Sequence, residues 1–298
     1  MTAGSVGFVG IGNMGLAMAL RLRDAGWPVA VCDVDARRVA LAVAHGALAA
    51  DHPAALAGCG IVIVAVVDGG QTRDVLFGRD GLAAALPAGA TVMLCPTIAP
   101  ADTEACAAGL AERGIDCIDA PMSGGPERAR DGTMSLMLAC ADAVFERWSP
   151  LLQTLASRCF RVGARPGDGA RTKLVNNLLA AVNLAGAAEA LALAGRLGLD
   201  PALTLSVIEQ SSGQSWIGSD RLRRALAGDT APRAHMGLLA KDSTLALQAA
   251  RAAGIALPVG ETAARHFADA LQAGLARADD SALWAWLSSR QAGPESAP

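Results

Sequence analysis

The sequence predicts an α/β domain built on a parallel sheet, followed by a long connecting helix and an all-α C-terminal domain. Three observations predict it. Up to residue 162, short apolar runs alternate with helical patterns, as in successive strand–helix–strand units. After residue 162 no strand-like alternation is found. Between the two regimes, Asp168 to about Leu197 reads as one helix of roughly 30 residues, about 45 Å long at the standard rise. Alanine and leucine occur on nearly all its faces, so it must be covered on more than one side. The expected divisions are 1–163, 164–197 and 198–298.

Each element has its own signal. Strands are expected at Val6–Val9, Val29–Cys32, Ile61–Val67, Ala90–Leu94, Ile115–Asp119, Thr133–Ala139 and Arg158–Val162. Helical patterns cover Leu16–Ala25, Gln71–Phe77, a stretch starting near Asp102, and Ala143–Ala156. Gly198-Leu199-Asp200-Pro201 ends the long helix, and further helices are expected at about 201–210, 219–227, 237–253, 259–273 and 281–290. Trp284 and Trp286 read as core or interface packing. His235 and His266 have no partners at metal-ligand spacing.

The composition is that of an ordinary globular chain: 298 residues, 52% apolar and 18% charged. A formal charge of -3 gives no reason to expect nucleic acid or an anionic membrane as partner. The long helical stretch is interrupted by Asn176, Asn177, Asn183 and Glu189, so no transmembrane span is expected. Met1 to Ser5 runs into the first strand without a basic region and apolar core, so no signal peptide is expected. The seven cysteines lie between Cys32 and Cys159 without a C-x-x-C pair. They read as free buried thiols of a cytoplasmic protein, and neither a disulfide framework nor a metal site is expected. The absence of tyrosine excludes Ser-Tyr-Lys dehydrogenase chemistry.

The first strand ends in Gly10-Ile11-Gly12-Asn13-Met14-Gly15, a helix follows, and the second strand ends at Asp33, 18 residues after Gly15. Strand, glycines, helix and acid together make a dinucleotide-binding fingerprint of Rossmann type. Gly10 makes the tight turn, Gly12 admits the pyrophosphate to the backbone, and Gly15 lets helix pack on strand. The N–H groups at the helix start, from Asn13 and Met14 onward, face the phosphates. Asp33 would bind the adenosine ribose and repel a 2′-phosphate, which favours NAD. Arg37 and Arg38 leave NADP use open, although a solvated helical turn is the plainer reading for them.

Residues at the carboxyl ends of the strands line the ligand crevice of such a sheet. Val67-Asp68, Thr97 and Asp119-Ala120-Pro121 are therefore candidates for the cofactor side, with Thr97 placed for the nicotinamide ribose or as a turn cap. Ser123-Gly124-Gly125 can offer a hydroxyl and successive backbone N–H groups to a carboxylate. Only two of the 25 basic residues are lysine, Lys173 and Lys241. Arginine does not titrate near neutrality, whereas a desolvated lysine can. Lys173 and Asn177 lie at i and i+4 of the long helix, on one face. Composition bias is the competing explanation for the two lysines.

Taken in order, these motifs resemble the β-hydroxyacid dehydrogenases. Gly7-Phe8-Val9-Gly10-Ile11-Gly12-Asn13-Met14-Gly15 is similar to the family's N-terminal signature, and Asp119-Ala120-Pro121-Met122-Ser123-Gly124-Gly125 to its substrate motif. Gly169-Ala170-Arg171-Thr172-Lys173-Leu174-Val175-Asn176-Asn177 is similar to the catalytic motif, and Lys241-Asp242 to the C-terminal one. The resemblance spans essentially the whole chain and implies a 6-phosphogluconate dehydrogenase-like fold in a homodimer or homotetramer. It implies Lys173 as general acid/base, a substrate held by Ser123, Gly124, Gly125 and Asn177, and Lys241 near cofactor and substrate. It also implies a site in a cleft between the domains.

The expected activity is hydride transfer between NAD, or NADP, and the β-carbon of a small β-hydroxy acid such as 3-hydroxyisobutyrate or threonate. The alternatives are a tartronate or succinic semialdehyde reductase, and a catalytically silent NAD(P)-binding regulatory protein of the same fold. Asn176, where 6-phosphogluconate enzymes carry histidine, argues against that substrate, and Lys173 argues against imine reductases. Gln71-Thr72 leans toward the threonate-type branch. Pro96, Val67 and Cys140 depart from the family pattern.

Overall fold

The structure is a computed structural model and describes residues 4–290. The chain divides into two compact units, Met1–Lys173 and Leu174–Pro298. The division falls inside one continuous helix.

The first unit runs β1 (Val6–Val9), α1 (Asn13–Asp24), β2 (Val29–Cys32), α2 (Ala36–Ala44), β3 (Leu48–Ala49), a 3₁₀ turn at Pro53–Leu56, β4 (Ile61–Val64) and α3 (Gly69–Phe77). It continues through α4 (Leu82–Ala85), β5 (Thr91–Leu94), α5 (Pro100–Ala111), β6 (Asp116–Asp119), β7 (Met122–Ser123), α6 (Gly125–Asp131), β8 (Met134–Ala139), α7 (Asp142–Leu155) and β9 (Ala156–Gly163). The strands form one sheet in the order β3-β2-β1-β4-β5-β6-β8-β7, with β9 also paired to β8. From β3 to β6 every pairing is parallel. β8 then joins β6 antiparallel, which ends the continuous parallel run, and β9 pairs parallel with β8.

Apolar runs without alternation make these strands interior ones. Ile61 and Ile63 pack into the core on one face of the sheet, and Val62 and Val64 into that on the other. The first strands leave β1 in opposite directions, β2 on one side and β4 on the other. That reversal is the topological switch point at which an open α/β sheet binds its ligand. It brings the glycine turn after β1 beside the end of β4.

The sequence expectations and the structure differ where elements are short. β4 ends at Val64, because the chain turns into a cap on α3, with the Asp68 carboxylate accepting the Gln71 N–H at 2.8 Å. β3, α4, β7 and the seven residues of α6 are too brief to show a periodicity, and none is expected from the sequence.

The second unit is helical: the remainder of α8 (Asp168–Arg196), then α9 (Pro201–Glu209), α10 (Trp216–Leu226), α11 (Met236–Ala252), α12 (Pro258–Gln272) and α13 (Ala282–Ser289). Ala181, Leu184 and Ala188 of α8 share a core with Met236, Leu239, Phe267 and Leu283. Trp284 and Trp286 pack partly buried against it, as expected. By length and mean hydropathy α8 is apolar enough to cross a membrane, so its polar interruptions do not exclude a span on composition. The use of its faces argues otherwise: one stripe is core, and Asn177 is buried on a carboxylate.

Candidate active site

The glycine turn is built by steric necessity. Gly10 has φ +86°, and a Cβ there would lie 2.8 Å from the Ala65 carbonyl oxygen. A Cβ on Gly15 would overlap the Gly10 carbonyl oxygen, so only glycine lets α1 start this close to β1. A Cβ on Gly12 would meet nothing within 4 Å, which leaves open space over the turn. Gly12 also caps α1 without a side-chain hydrogen bond, so no cap side chain covers the first N–H groups of the helix. Asn13 and Met14 offer these groups, Met14 packing its side chain on the sheet core. Such a cradle fits a pyrophosphate.

Asp33 is tied into the same turn. Its Oδ2 accepts the Ile11 N–H at 2.6 Å and its Oδ1 accepts the Asp35 N–H at 2.8 Å. The Arg38 guanidinium donates to the Asn13 Oδ1 at 3.0 Å, while Arg37 pairs with Asp35 in solvent. Val67, half exposed beyond β4, donates its N–H to the Gln71 Oε1 at 3.0 Å. Thr97 lies just beyond β5, partly buried.

The segment from Asp119 to Gly125 meets the start of α8. Lys173 is buried, 7% exposed, and its Nζ donates to the Met122 carbonyl oxygen at 2.6 Å. Ser123 follows Met122 directly, and Gly124 and Gly125 follow with φ +133° and +76°, a conformation that requires glycine. Asp119 corrects an expectation. It is 2% exposed and so does not line a cofactor crevice; its Oδ2 accepts the Gly167 N–H at 2.7 Å and the Ala170 N–H at 3.1 Å. Burial pushes its carboxyl up to about 6, against the opposing pull of these backbone donors.

In the helical unit Asn177, Lys241 and Asp242 form a second constellation. Asn177 Nδ2 donates to Asp242 Oδ2 at 2.6 Å, and Lys241 Nζ pairs with Asp242 Oδ1 at 2.8 Å. Asn176 donates to Asn177 Oδ1 at 3.0 Å, so the amide of Asn177 is oriented from both ends. Sequence reasoning missed the bridging part of Asp242 and the anchoring part of Asp119. The position of each beside a motif residue was the only available signal. Among the described residues no three His, Cys, Asp or Glu side chains are grouped to hold a metal.

Comparison with known proteins accounts for nearly the whole described length. Residues 5–163 match the NAD-binding domain of 6-phosphogluconate dehydrogenase, and residues 167–287 the NAD-binding domain of NADP-dependent 3-hydroxyisobutyrate dehydrogenase. The L-threonate dehydrogenase of Escherichia coli K12 is 37% identical over 280 residues, 93% of each chain. A crystal structure of 3-hydroxyisobutyrate dehydrogenase from Salmonella typhimurium superposes with a TM-score of 0.88 at 36% identity, covering 95% of this chain and 99% of that one. The Mycobacterium tuberculosis 3-hydroxyisobutyrate dehydrogenase, solved with L-serine, gives a TM-score of 0.84 at 30% identity over 96% of this chain and 99% of that one. With a Rossmann-type sheet, a helical C-terminal domain and these relatives, the chain belongs to the β-hydroxyacid dehydrogenases, NAD(P)-dependent oxidoreductases that act on hydroxyl groups.

Proposed function

We propose that this chain oxidises a small β-hydroxy acid of the threonate or 3-hydroxyisobutyrate type at its β-carbon, with NAD preferred over NADP. The observation that carries the proposal is Lys173. It is a buried lysine fixed by a backbone carbonyl, one residue from the Ser123-Gly124-Gly125 turn. In this reading the turn binds the substrate carboxylate, and Lys173 takes the proton from the hydroxyl. Asn177, oriented by Asp242, holds the substrate. Lys241 supplies a positive charge near substrate and cofactor, tempered by the same carboxylate. Gly10, Gly12, Asn13, Met14, Gly15 and Asp33 hold the dinucleotide, with Val67 and Thr97 at the nicotinamide end. A nicotinamide held there would supply the acceptor for the hydride of the β-carbon.

The same reading has the sheet domain at 1–163, the connecting helix at 164–197 and the helical domain at 198–298, in a cytoplasmic homodimer or homotetramer. The test is turnover of a panel of three- to five-carbon β-hydroxy acids with NAD and with NADP. Activity on at least one, with kcat/KM far above that for α-hydroxy acids of equal length, is the expected result. No turnover of any panel member by protein that binds NAD would sink it.

A further inference from the structure

Asp119 sits where two parts of the site are joined. Its Oδ2 accepts backbone N–H groups from Gly167 and Ala170, at the very start of the helix that carries Lys173. Three residues beyond it, Met122 accepts the Lys173 ammonium. One short segment thus grips the helix by its backbone and by its lysine. The fit is close: a Cβ on Gly169 would stand 2.8 Å from the Met137 carbonyl oxygen and 2.9 Å from the Asp119 Cγ. The first N–H groups of a helix attract a negative charge, and a buried carboxylate there offsets the positive end of the helix dipole.

We propose that Asp119 is a positioning residue: through Gly167 and Ala170 it holds the first turns of α8 in place, and so sets the position and charge of Lys173 for proton transfer. The proposal rests on the reading of Lys173 as the acid/base. Two effects follow. The carboxylate fixes the lysine geometrically, and its negative charge favours the protonated lysine. The titratable groups facing Asp119 are few. Asp168 on α8 repels it and is itself paired with Arg171 and Arg165. Cys95 beyond β5, Cys117 on β6 and Cys140 beyond β8 are thiols whose own ionisation is pushed up by burial. No thiolate therefore competes with Asp119 for the role of anion near neutral pH.

The test compares Asp119→Asn, Gly169→Ala and Lys173→Arg with the wild type. The hydrogen bonds from Gly167 and Ala170 go to one oxygen, which an amide oxygen can replace, and the Gly169 N–H adds a third backbone donor, so Asp119→Asn removes the charge and keeps much of the shape. Its kcat is expected to fall about 10- to 100-fold, the cost of a small misplacement. The rising limb of kcat with pH should move down by about half to one unit, because the lysine loses a favourable charge. Amide hydrogen exchange at Gly167 and Ala170 should quicken, and KM for NAD should stay within about twofold, because β4 and β5 lie between the strand that carries the glycine turn and the one that ends in Asp119. Gly169→Ala keeps the charge but crowds the contact, so kcat should fall without the shift of the limb. It also decides the matter if Asp119→Asn does not fold. Wild-type kcat, limb and exchange in Asp119→Asn, with Lys173→Arg inactive, would overturn the proposal while leaving Lys173 as the base. Normal turnover by Lys173→Arg would overturn both.

Discussion

Lys173 is almost out of water, with its Nζ donating to the Met122 carbonyl oxygen. An arginine there would keep the charge but could not accept a proton at any working pH. Lys173→Arg is therefore expected to lower kcat by roughly 10²–10⁴, the range for loss of a general acid/base. NAD affinity should hardly change, since the glycine turn is untouched. Lys241→Arg should keep more activity, because its ion pair with Asp242 needs charge and not titration. Steady-state kinetics over pH, with NAD binding followed by fluorescence, check all three statements. At the other end of the site, Asp33 holds a negative charge against the glycine turn through Ile11 and Asp35. A 2′-phosphate would meet that charge, so kcat/KM with NAD should exceed that with NADP by about tenfold or more, on the order of 1.4 kcal/mol. A reversed preference would point to Arg37 and Arg38 as phosphate ligands. Asp33→Ala should both relax the discrimination and weaken NAD binding, since the turn loses two internal acceptors.

Elements in the helical unit are tied by buried ion pairs that no periodicity reveals. Arg224 of α10 reaches Asp279 at 3.2 Å, and Arg221 reaches Asp280 at 2.6 Å, joining α10 to the turn before α13. Burial alone would raise the Asp279 carboxyl, but hydrogen bonds from Ser281, the Arg233 N–H and Arg224 outweigh it and bring it down to about 2. A carboxyl lowered on folding stabilises the protein above its unfolded value near 3.8, and that contribution fades as pH falls toward 2. Asp279→Asn should therefore cost about 2 kcal/mol at pH 7, with more from the stranded Arg224. The difference from wild type should shrink below pH 3.8. Urea midpoints at pH 7 and near pH 2 test this, and an equal loss at both would mean the charge is not what matters. The contrast with the sheet unit shows what the sequence could carry. Strands such as Val6–Val9 and the fingerprint at Gly10–Gly15 announce themselves by composition and spacing within a dozen residues. The bonds of Asp119 to Gly167 and of Asn177 to Asp242 span 48 and 65 residues. Only the folded chain brings such partners together, so the anchoring carboxylates stayed hidden while the motifs were legible.

At the scale of the molecule, the helical unit leaves many large apolar side chains uncovered. Val175 and Leu179 lie one turn apart on α8, exposed by 70% and 60%, and Leu203 and Val207 one turn apart on α9, by 65% and 57%. Leu193, Leu197 and Val259 add to the exposed apolar surface of the same unit. A soluble monomer rarely presents so much apolar surface, whereas an interface between copies would cover it. Light scattering should thus give a mass that is a multiple of 30.1 kDa. The double substitution Leu203→Asp, Val207→Asp places two carboxylates on that face. It should shift the equilibrium toward single chains, since burying unpaired charge in an interface is prohibitive. The glycine turn and Asp33 lie in the sheet unit. The dissociated variant should therefore still bind NAD, with a rise in melting temperature on adding the cofactor as the readout. A wild type that runs as a single chain at micromolar concentration would remove the oligomer from the account, and would leave the exposed leucines of α8 and α9 to another partner.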